Sequence, residues 1–435
     1  MSIASLFSRY QSWVFKGGFS ILDQGLFSGA NFIISILFAR WLTLSDYGVF
    51  VIAFTFYLLL TGFYTSFILE PMSVFGPAKY SEQPSDYFYI QLKLHGATST
   101  ILALIAILTG WYMVILKNRP LGDAFIGVGI ALPFLLLLWL VRREFYILKQ
   151  PAVASLTSGS YFISSIIGAI VLHSTKSLNA FTGFLLLGTA SVIASFFLLW
   201  KKSDWENKKG LPGLTWRGLA KEQWFYGQWI AAATVLSFLS NQIQVFFLAG
   251  LINIQASGAL DALQNFTAPI AQGIVAIATL ALPILSYDFG LLKFSSIRKN
   301  AATLAALLTV AAGIYELLIW GFSSQLETFL YGGKYASFSH LIPILGLIPF
   351  FTAFSTGYSL ILKAIQKPEF NLVYEMVVAP IGLITGVIFI HFWGLAGAVW
   401  SLVIISLLTV IILMILYKRW FVDSLINKKD AYESN

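Results

Sequence analysis

The chain has no cysteine, four histidines and only 46 charged side chains among 435 residues, or 11%. The absence of cysteine excludes a disulfide framework, a thiolate metal site and a cysteine nucleophile. His95, His173, His340 and His391 are too far apart for ligand spacing, so no metal site is expected. Phosphate loops are also missing. Gly127-Val128-Gly129 lies inside an apolar run, and Gly332-Gly333-Lys334 lacks the rest of a Walker motif, so no cofactor is expected.

Soluble domains carry about 25% charged residues, whereas this chain has less than half of that and is 58% apolar, the composition of an integral membrane protein. A helical span takes about 20 apolar residues, so twelve spans would use roughly 240 and leave roughly 195 for connections and tails. These residues leave no room for an ATPase cassette, a large external domain or a separate catalytic domain. No small-residue cleavage site precedes Gly17, so residues 1–17 read as an interfacial N-terminal segment rather than a cleaved leader.

Long apolar runs predict an all-α protein with twelve spans. They lie near 18–41, 49–70, 90–115, 122–141, 153–173, 180–200, 224–251, 258–287, 300–321, 338–362, 372–391 and 393–417. Trp13, Trp41, Trp111, Trp200, Trp320, Trp393 and Trp420 sit near the ends, where an indole keeps its ring in the interface. The expected organisation is an N-lobe over 18–200, a linker over 201–221, a C-lobe over 222–418 and a tail over 419–435. Of the 27 Lys and Arg residues, 22 fall on one side of this alternation and 5 on the other, which predicts cytoplasmic termini. The net charge of +8 is scattered over short segments with no continuous basic face, which argues against a nucleic-acid partner.

Three landmarks repeat in order. Residues 38–48 (FARWLTLSDYG) align with 248–258 (LAGLINIQASG) at an offset of 210. ILEPM at 68–72 meets LALPI at 280–284, and LKQPAV at 148–153 meets IQKPEF at 365–370. Each half would hold six spans, an even number, so the expected repeats are parallel, as in two-lobed transporters.

A polar group left unpaired in hydrocarbon costs several kcal/mol, so polar stripes mark faces that meet water, another helix or substrate. The first span carries Gln24, Ser28, Asn31 and Ser35 on one face, with Asp23 beside it. The seventh carries Thr234, Ser237, Asn241 and Gln244, the eighth Asp261, Gln264, Asn265 and Gln272, and the tenth Thr352, Ser355, Thr356 and Ser359. Interhelical hydrogen bonding explains isolated Ser and Thr residues; the Asn, Gln and Asp set suggests a hydrophilic cavity. Asp23, Glu70, Asp261 and Glu316 are the expected intramembrane carboxylates. For Asp23 and Asp261, a solvated carboxylate and a proton or cation site both fit, while Glu70 has Lys79 or Arg142 as expected partners. Arg40 either meets an anionic headgroup or snorkels, and Arg142 and Arg143 either meet a phosphate or follow the positive-inside rule.

The stretches ARWLTLSDYGVF, SNQIQVFFLAGLINIQASGALDALQNFTAPI and FLYGGKYASFSHLIPIL, set in two six-span halves, resemble the Wzx-type polysaccharide flippases of the multidrug/oligosaccharidyl-lipid/polysaccharide exporter superfamily. The resemblance implies a non-enzyme that moves polyprenyl-diphosphate-linked oligosaccharide units across a bacterial inner membrane for O-antigen, lipopolysaccharide or exopolysaccharide synthesis. It also implies membrane lipids, a polysaccharide polymerase and chain-length machinery as partners. The expected cavity lining is Asp23, Gln24, Ser28, Asn31, Arg40, Thr234, Asn241, Gln244, Asp261, Gln264 and Asn265. Contacts to diphosphate or a coupling ion are expected from Glu70, Arg142, Arg143 and Glu316. Two alternatives stand beside this reading. A cation-coupled multidrug antiporter would share the architecture, and a membrane polymerase or glycosyltransferase would require an external catalytic carboxylate, whereas the acidic pair Asp204 and Glu206 falls in an expected cytoplasmic loop.

Overall fold

In the computed structural model, helix starts follow local capping chemistry. Thr43 is extended (φ −63°, ψ 161°); its hydroxyl accepts from the Asp46 N–H at 3.0 Å and donates to the Asp46 carboxylate at 2.7 Å. This cap separates α1 (Ile3–Trp41) from α2 (Leu44–Tyr64). The aligned position in the second half, Asn253, does the same work, accepting from the Ala256 N–H at 2.8 Å. Residues 3–201, 215–291, 293–365 and 370–433 are described; for 3–17, 197–201, 283, 290, 370–371 and 420–433 this covers the backbone alone.

From α2 the chain passes through one π-helical turn, Thr65–Leu69, into α3 (Glu70–Lys79). Pro71 lacks the N–H that an α-helical ladder would send back to residue 67, and the Glu70 N–H reaches instead to Thr65 O. Next come α4 (Pro84–Ile115), α5 (Arg119–Ile147), α6 (Pro151–Ser174) and α7 (Ala180–Lys201). Three of these helices end on a lysine in the left-handed region, Lys117 (φ 62°), Lys149 (φ 58°) and Lys176 (φ 56°). At each end the following residue's N–H closes the turn, as in Gln150 to Phe145 O at 2.8 Å.

The remaining helices are α8 (Trp216–Asn241), α9 (Ile243–Leu251), α10 (Ile254–Gln264), α11 (Ala268–Gly290), α12 (Phe294–Tyr331), α13 (Ile342–Ala364) and α14 (Phe370–Glu433). A single turn at Gly394 (φ 55°, ψ −129°) interrupts α14, a conformation that only glycine adopts cheaply.

The chain packs as two units, Met1–Thr234 and Val235–Asn435, with the boundary inside α8. In the first, α5 is the central helix, packed against α4 and α7, while α1 lies on α6. Small residues permit the closest approach: a Cβ on Gly110 of α4 would stand 2.7 Å from the Gly122 carbonyl oxygen of α5. Phe50 anchors the aromatic core, its ring 5.0 Å from Phe38 and 4.9 Å from Phe184. In the second unit, α13 is central, against α12, α14 and α11.

Among the described residues, nine helices are long and apolar enough to cross a membrane, or ten with the pair α8 and α9, which bend by 44° at their junction. The chain is thus a multi-pass membrane protein, with fewer uninterrupted spans than the twelve expected. Only the Ala180–Phe196 part of α7 lies among the residues whose side chains are described, the α8 and α9 pair counts as one span only across its bend, and the expected span at 258–287 is represented by α11, which a break separates from α10. The two expected spans at 372–391 and 393–417 form one run that turns at Gly394. The expected interfacial segment is helical from Ile3 and continuous with the first span. Most of the expected linker, 202–214, including Asp204 and Glu206, lies outside the described residues. Trp111 near the end of α4 and Trp393 beside the turn of α14 are exposed, as an interfacial indole requires, whereas Trp320, also exposed, lies within α12, which runs on to Tyr331.

Candidate functional site

A buried ion pair organises the first unit. Asp23 of α1 is fully buried and receives donors from two other helices. Its Oδ2 accepts from Arg142 Nη2 at 2.7 Å and from the Tyr146 hydroxyl at 2.6 Å, both on α5. Its Oδ1 accepts from the Ser158 hydroxyl of α6 at 2.5 Å and, more weakly, from Arg142 Nε at 3.4 Å. The guanidinium also lies over the Phe27 ring, 4.0 Å from its centroid. Desolvating both charges is costly unless the remaining hydrogen-bonding sites are filled, and here the carboxylate has a donor at each lone-pair position. Asp23 therefore ties α1, α5 and α6 together.

About two turns along α1 from Asp23, Asn31 continues the polar connection. Its amide donates to Phe27 O and its Oδ1 accepts from the Tyr161 hydroxyl of α6, each at 3.1 Å. Phe27, Asn31, Phe54, Tyr57, Trp139 and Tyr161 surround a cavity of about 100 Å³. Ser35 bonds to the Tyr47 hydroxyl at 3.0 Å. Gln24 is exposed and bonds only to Ser28 of its own helix, at 3.1 Å. The expected first-span stripe thus divides into a buried part that reaches α2 and α6 and a part paired within α1.

Glu70 lies 4.0 Å from Arg143, rather than beside Lys79 or Arg142, and Arg143 also donates to the Ser73 hydroxyl at 2.9 Å. Lys79 instead pairs with Glu222 of α8 at 2.7 Å, and the Tyr80 hydroxyl donates to the same carboxylate at 2.9 Å. Thr234 meets Ser66 of the π-helical turn at 3.2 Å. Arg40 is exposed at the end of α1.

The second unit has its own buried acid. Glu375 of α14 accepts from the Ser240 hydroxyl of α8 at 2.6 Å. Gln244 is buried and donates to Ser240 O at 3.2 Å, while its Oε1 has no hydrogen-bond partner among the described residues. Asn241 is exposed and, among the described residues, bonds only to Ser237 O of its own helix, at 3.0 Å. Asn265 donates to the Tyr331 hydroxyl at 3.3 Å, at the break where Asp261 and Gln264 stand half-buried. The Glu316 carboxylate fills the notch that glycine leaves at position 346, with Oε2 buried and unpaired. Among the described residues, no three His, Cys, Asp or Glu side chains converge as a metal site would require.

The structure thus joins Asp23 to Arg142 and Glu70 to Arg143, and adds Tyr146, Ser158, Tyr161, Ser240 and Glu375, none of them singled out in the sequence. Ser158, Tyr161 and Ser165 recur at helical spacing on α6, a polar row that pattern reading can find. Glu375 lies only a few residues inside an expected span, where it passes for an interfacial charge.

No family model matches the sequence, and no curated protein matches it. Solved structures do. The fold is similar to an inward-facing multidrug resistance MATE family transporter of the MOP superfamily, with TM-score 0.71 and 13% identity over 93% of this chain and 98% of that one. It is similar to the lipid II flippase MurJ in an inward closed conformation, with TM-score 0.73 and 15% identity over 95% of this chain and 90% of the other. A MATE protein in its straight conformation gives TM-score 0.66 and 14% identity over 95% and 96% of the two chains. The chain has the fold of these membrane transporters.

Proposed function

We propose that this chain is a MOP-superfamily flippase. It carries polyprenyl-diphosphate-linked oligosaccharide units from the cytoplasmic to the external leaflet of a bacterial inner membrane by alternating access, for cell-surface polysaccharide synthesis. The observation that carries this reading is the likeness, along 95% of the chain, to a protein named as a lipid II flippase. The resemblance of the sequence to Wzx-type flippases and the Asn and Gln residues spread along the spans support a glycan as cargo.

In this reading the helices make twelve spans in two parallel six-helix repeats. The α8 and α9 pair forms one bent span, α10 and α11 one broken span, and α14 two arms about Gly394. Both termini are cytoplasmic, as the bias of 22 basic residues against 5 supports. Asp23 with Arg142 in the first lobe, and Glu375 with Ser240 in the second, are the buried acids that tie helices together within each lobe. The polymerase and chain-length machinery receive the product, and the chain itself catalyses no bond making.

The test is where lipid-linked units reside in cells lacking the protein, read by an impermeant glycan probe in sealed vesicles. Units confined to the cytoplasmic leaflet and rescued by the wild-type chain support the proposal. External units that fail to polymerise support the enzyme reading instead.

The likeness to a multidrug resistance MATE transporter favours a second reading, a cation-coupled multidrug antiporter. It requires that deletion leave every lipid-linked pool unchanged and raise drug susceptibility.

A further inference from the structure

The second unit carries a groove of about 540 Å³ between α12, α13 and α14. Its shape comes from small residues. A Cβ at Gly357 would stand 3.0 Å from both the Ala301 carbonyl oxygen and the Ala305 Cβ, so α12 and α13 touch along the floor. Ala302, Ala305 and Thr309 keep that floor low, while the Tyr358 and Tyr417 rings, 5.2 Å apart, raise one wall. Thr309 donates to Ala305 O at 2.7 Å, which leaves no free donor on the floor. The groove is therefore apolar along its length, with Leu307 and Val310 exposed beside it.

One end is charged. Arg298 lines the groove, is exposed, and has neither an ion-pair nor a side-chain hydrogen-bond partner among the described residues. Lys299, Lys363, Lys418 and Arg419 are exposed near the same ends of the three helices. The neighbouring acid, Asp288, is already engaged, accepting from Ser296 at 2.8 Å and Asn300 at 3.4 Å. A cation at the interface that merely snorkels needs no groove beneath it; here an unpaired guanidinium and an apolar trough share one site.

The depth selects the occupant. From Arg298 to Val310 the helix advances about 18 Å at 1.5 Å per residue, close to one leaflet of a hydrocarbon core about 30 Å thick. We propose that this groove binds one anionic phospholipid, with its phosphate on Arg298 and one acyl chain along the floor past Ala302, Ala305 and Thr309. Basic pockets between helices attract acidic headgroups in this way. The lining belongs wholly to α12, α13 and α14, whichever substrate the protein carries.

The full-length protein, delipidated in detergent and offered equal phosphatidylglycerol and phosphatidylcholine, is read by native mass spectrometry. Wild type retains one phosphatidylglycerol and little phosphatidylcholine. Arg298→Gln lowers that retention about fivefold, Ala305→Trp abolishes it by filling the floor, and Lys299→Gln, outside the groove, leaves it unchanged. Ala302→Leu replaces Ala305→Trp if the larger residue prevents folding. Equal retention of both lipids, full retention in Arg298→Gln, or an equal loss in Lys299→Gln overturns the proposal. Stronger retention of a polyprenyl phosphate than of phosphatidylglycerol also overturns it, because the groove then serves the cargo.

Discussion

Arg142 and Asp23, 119 positions apart in the sequence, form a buried ion pair at 2.7 Å, and the tyrosine and serine hydroxyls of Tyr146 and Ser158 complete the carboxylate's partners. Removing one partner of such a pair costs about 3–5 kcal/mol, because it strands a buried charge. Asp23→Asn and Arg142→Gln should each lower the unfolding midpoint in detergent, and the double substitution should recover part of the loss. A double-mutant cycle without coupling would show that the pair adds nothing beyond its parts.

The Ser240 hydroxyl donates to the buried Glu375 carboxylate at 2.6 Å, and a hydrogen bond to a charged group contributes about 1.5–3 kcal/mol. Ser240→Ala should therefore destabilise the protein by about that amount, and Glu375→Gln, which keeps an acceptor, by less than Glu375→Leu. Thermal unfolding of the three variants gives the order directly.

Asn31 and Asn241 occupy aligned positions but have different partners. Asn31 reaches across to Tyr161, whereas Asn241, among the described residues, bonds only within its own helix. Asn31→Leu should impair both folding and transport, and Tyr161→Phe should reproduce part of that effect. Asn241→Leu should spare stability, so a transport defect there, with expression unchanged, assigns its exposed amide to the cargo path. Wild-type transport in both leucine variants would remove both residues from that path.

Thr43 and Asn253 cap helices at aligned positions. Losing an N-cap side chain costs about 1 kcal/mol, and Thr43→Ala and Asn253→Ala should cost similar amounts. Lys149→Gly should act oppositely, raising stability by about 1 kcal/mol, because Lys149 holds a left-handed backbone (φ 58°) that glycine adopts without steric cost. Denaturation midpoints of these three variants, compared with transport rates, separate fold from function.

Composition and periodicity by themselves determined that this is a helical membrane protein, because hydrocarbon demands long apolar runs with few charges. They also located the aligned turns at 43 and 253 and Pro151 at a helix start, whereas Pro71, just past the expected end of the second span, lies inside a helical run that continues through a π turn to Lys79. These are local properties, set by side chains within four residues of the backbone groups they satisfy. Partner choice was not legible. Asp23 falls close to the start of the expected span at 18–41, where water is a plausible neighbour, and only the packing of α1 against α5 and α6 buries it beside Arg142. Arg143, adjacent in sequence to Arg142, instead goes to Glu70 and Ser73, because successive residues on a helix point about 100° apart. The groove at Arg298 likewise needs three helices brought side by side, so its lining residues have no common pattern along the chain.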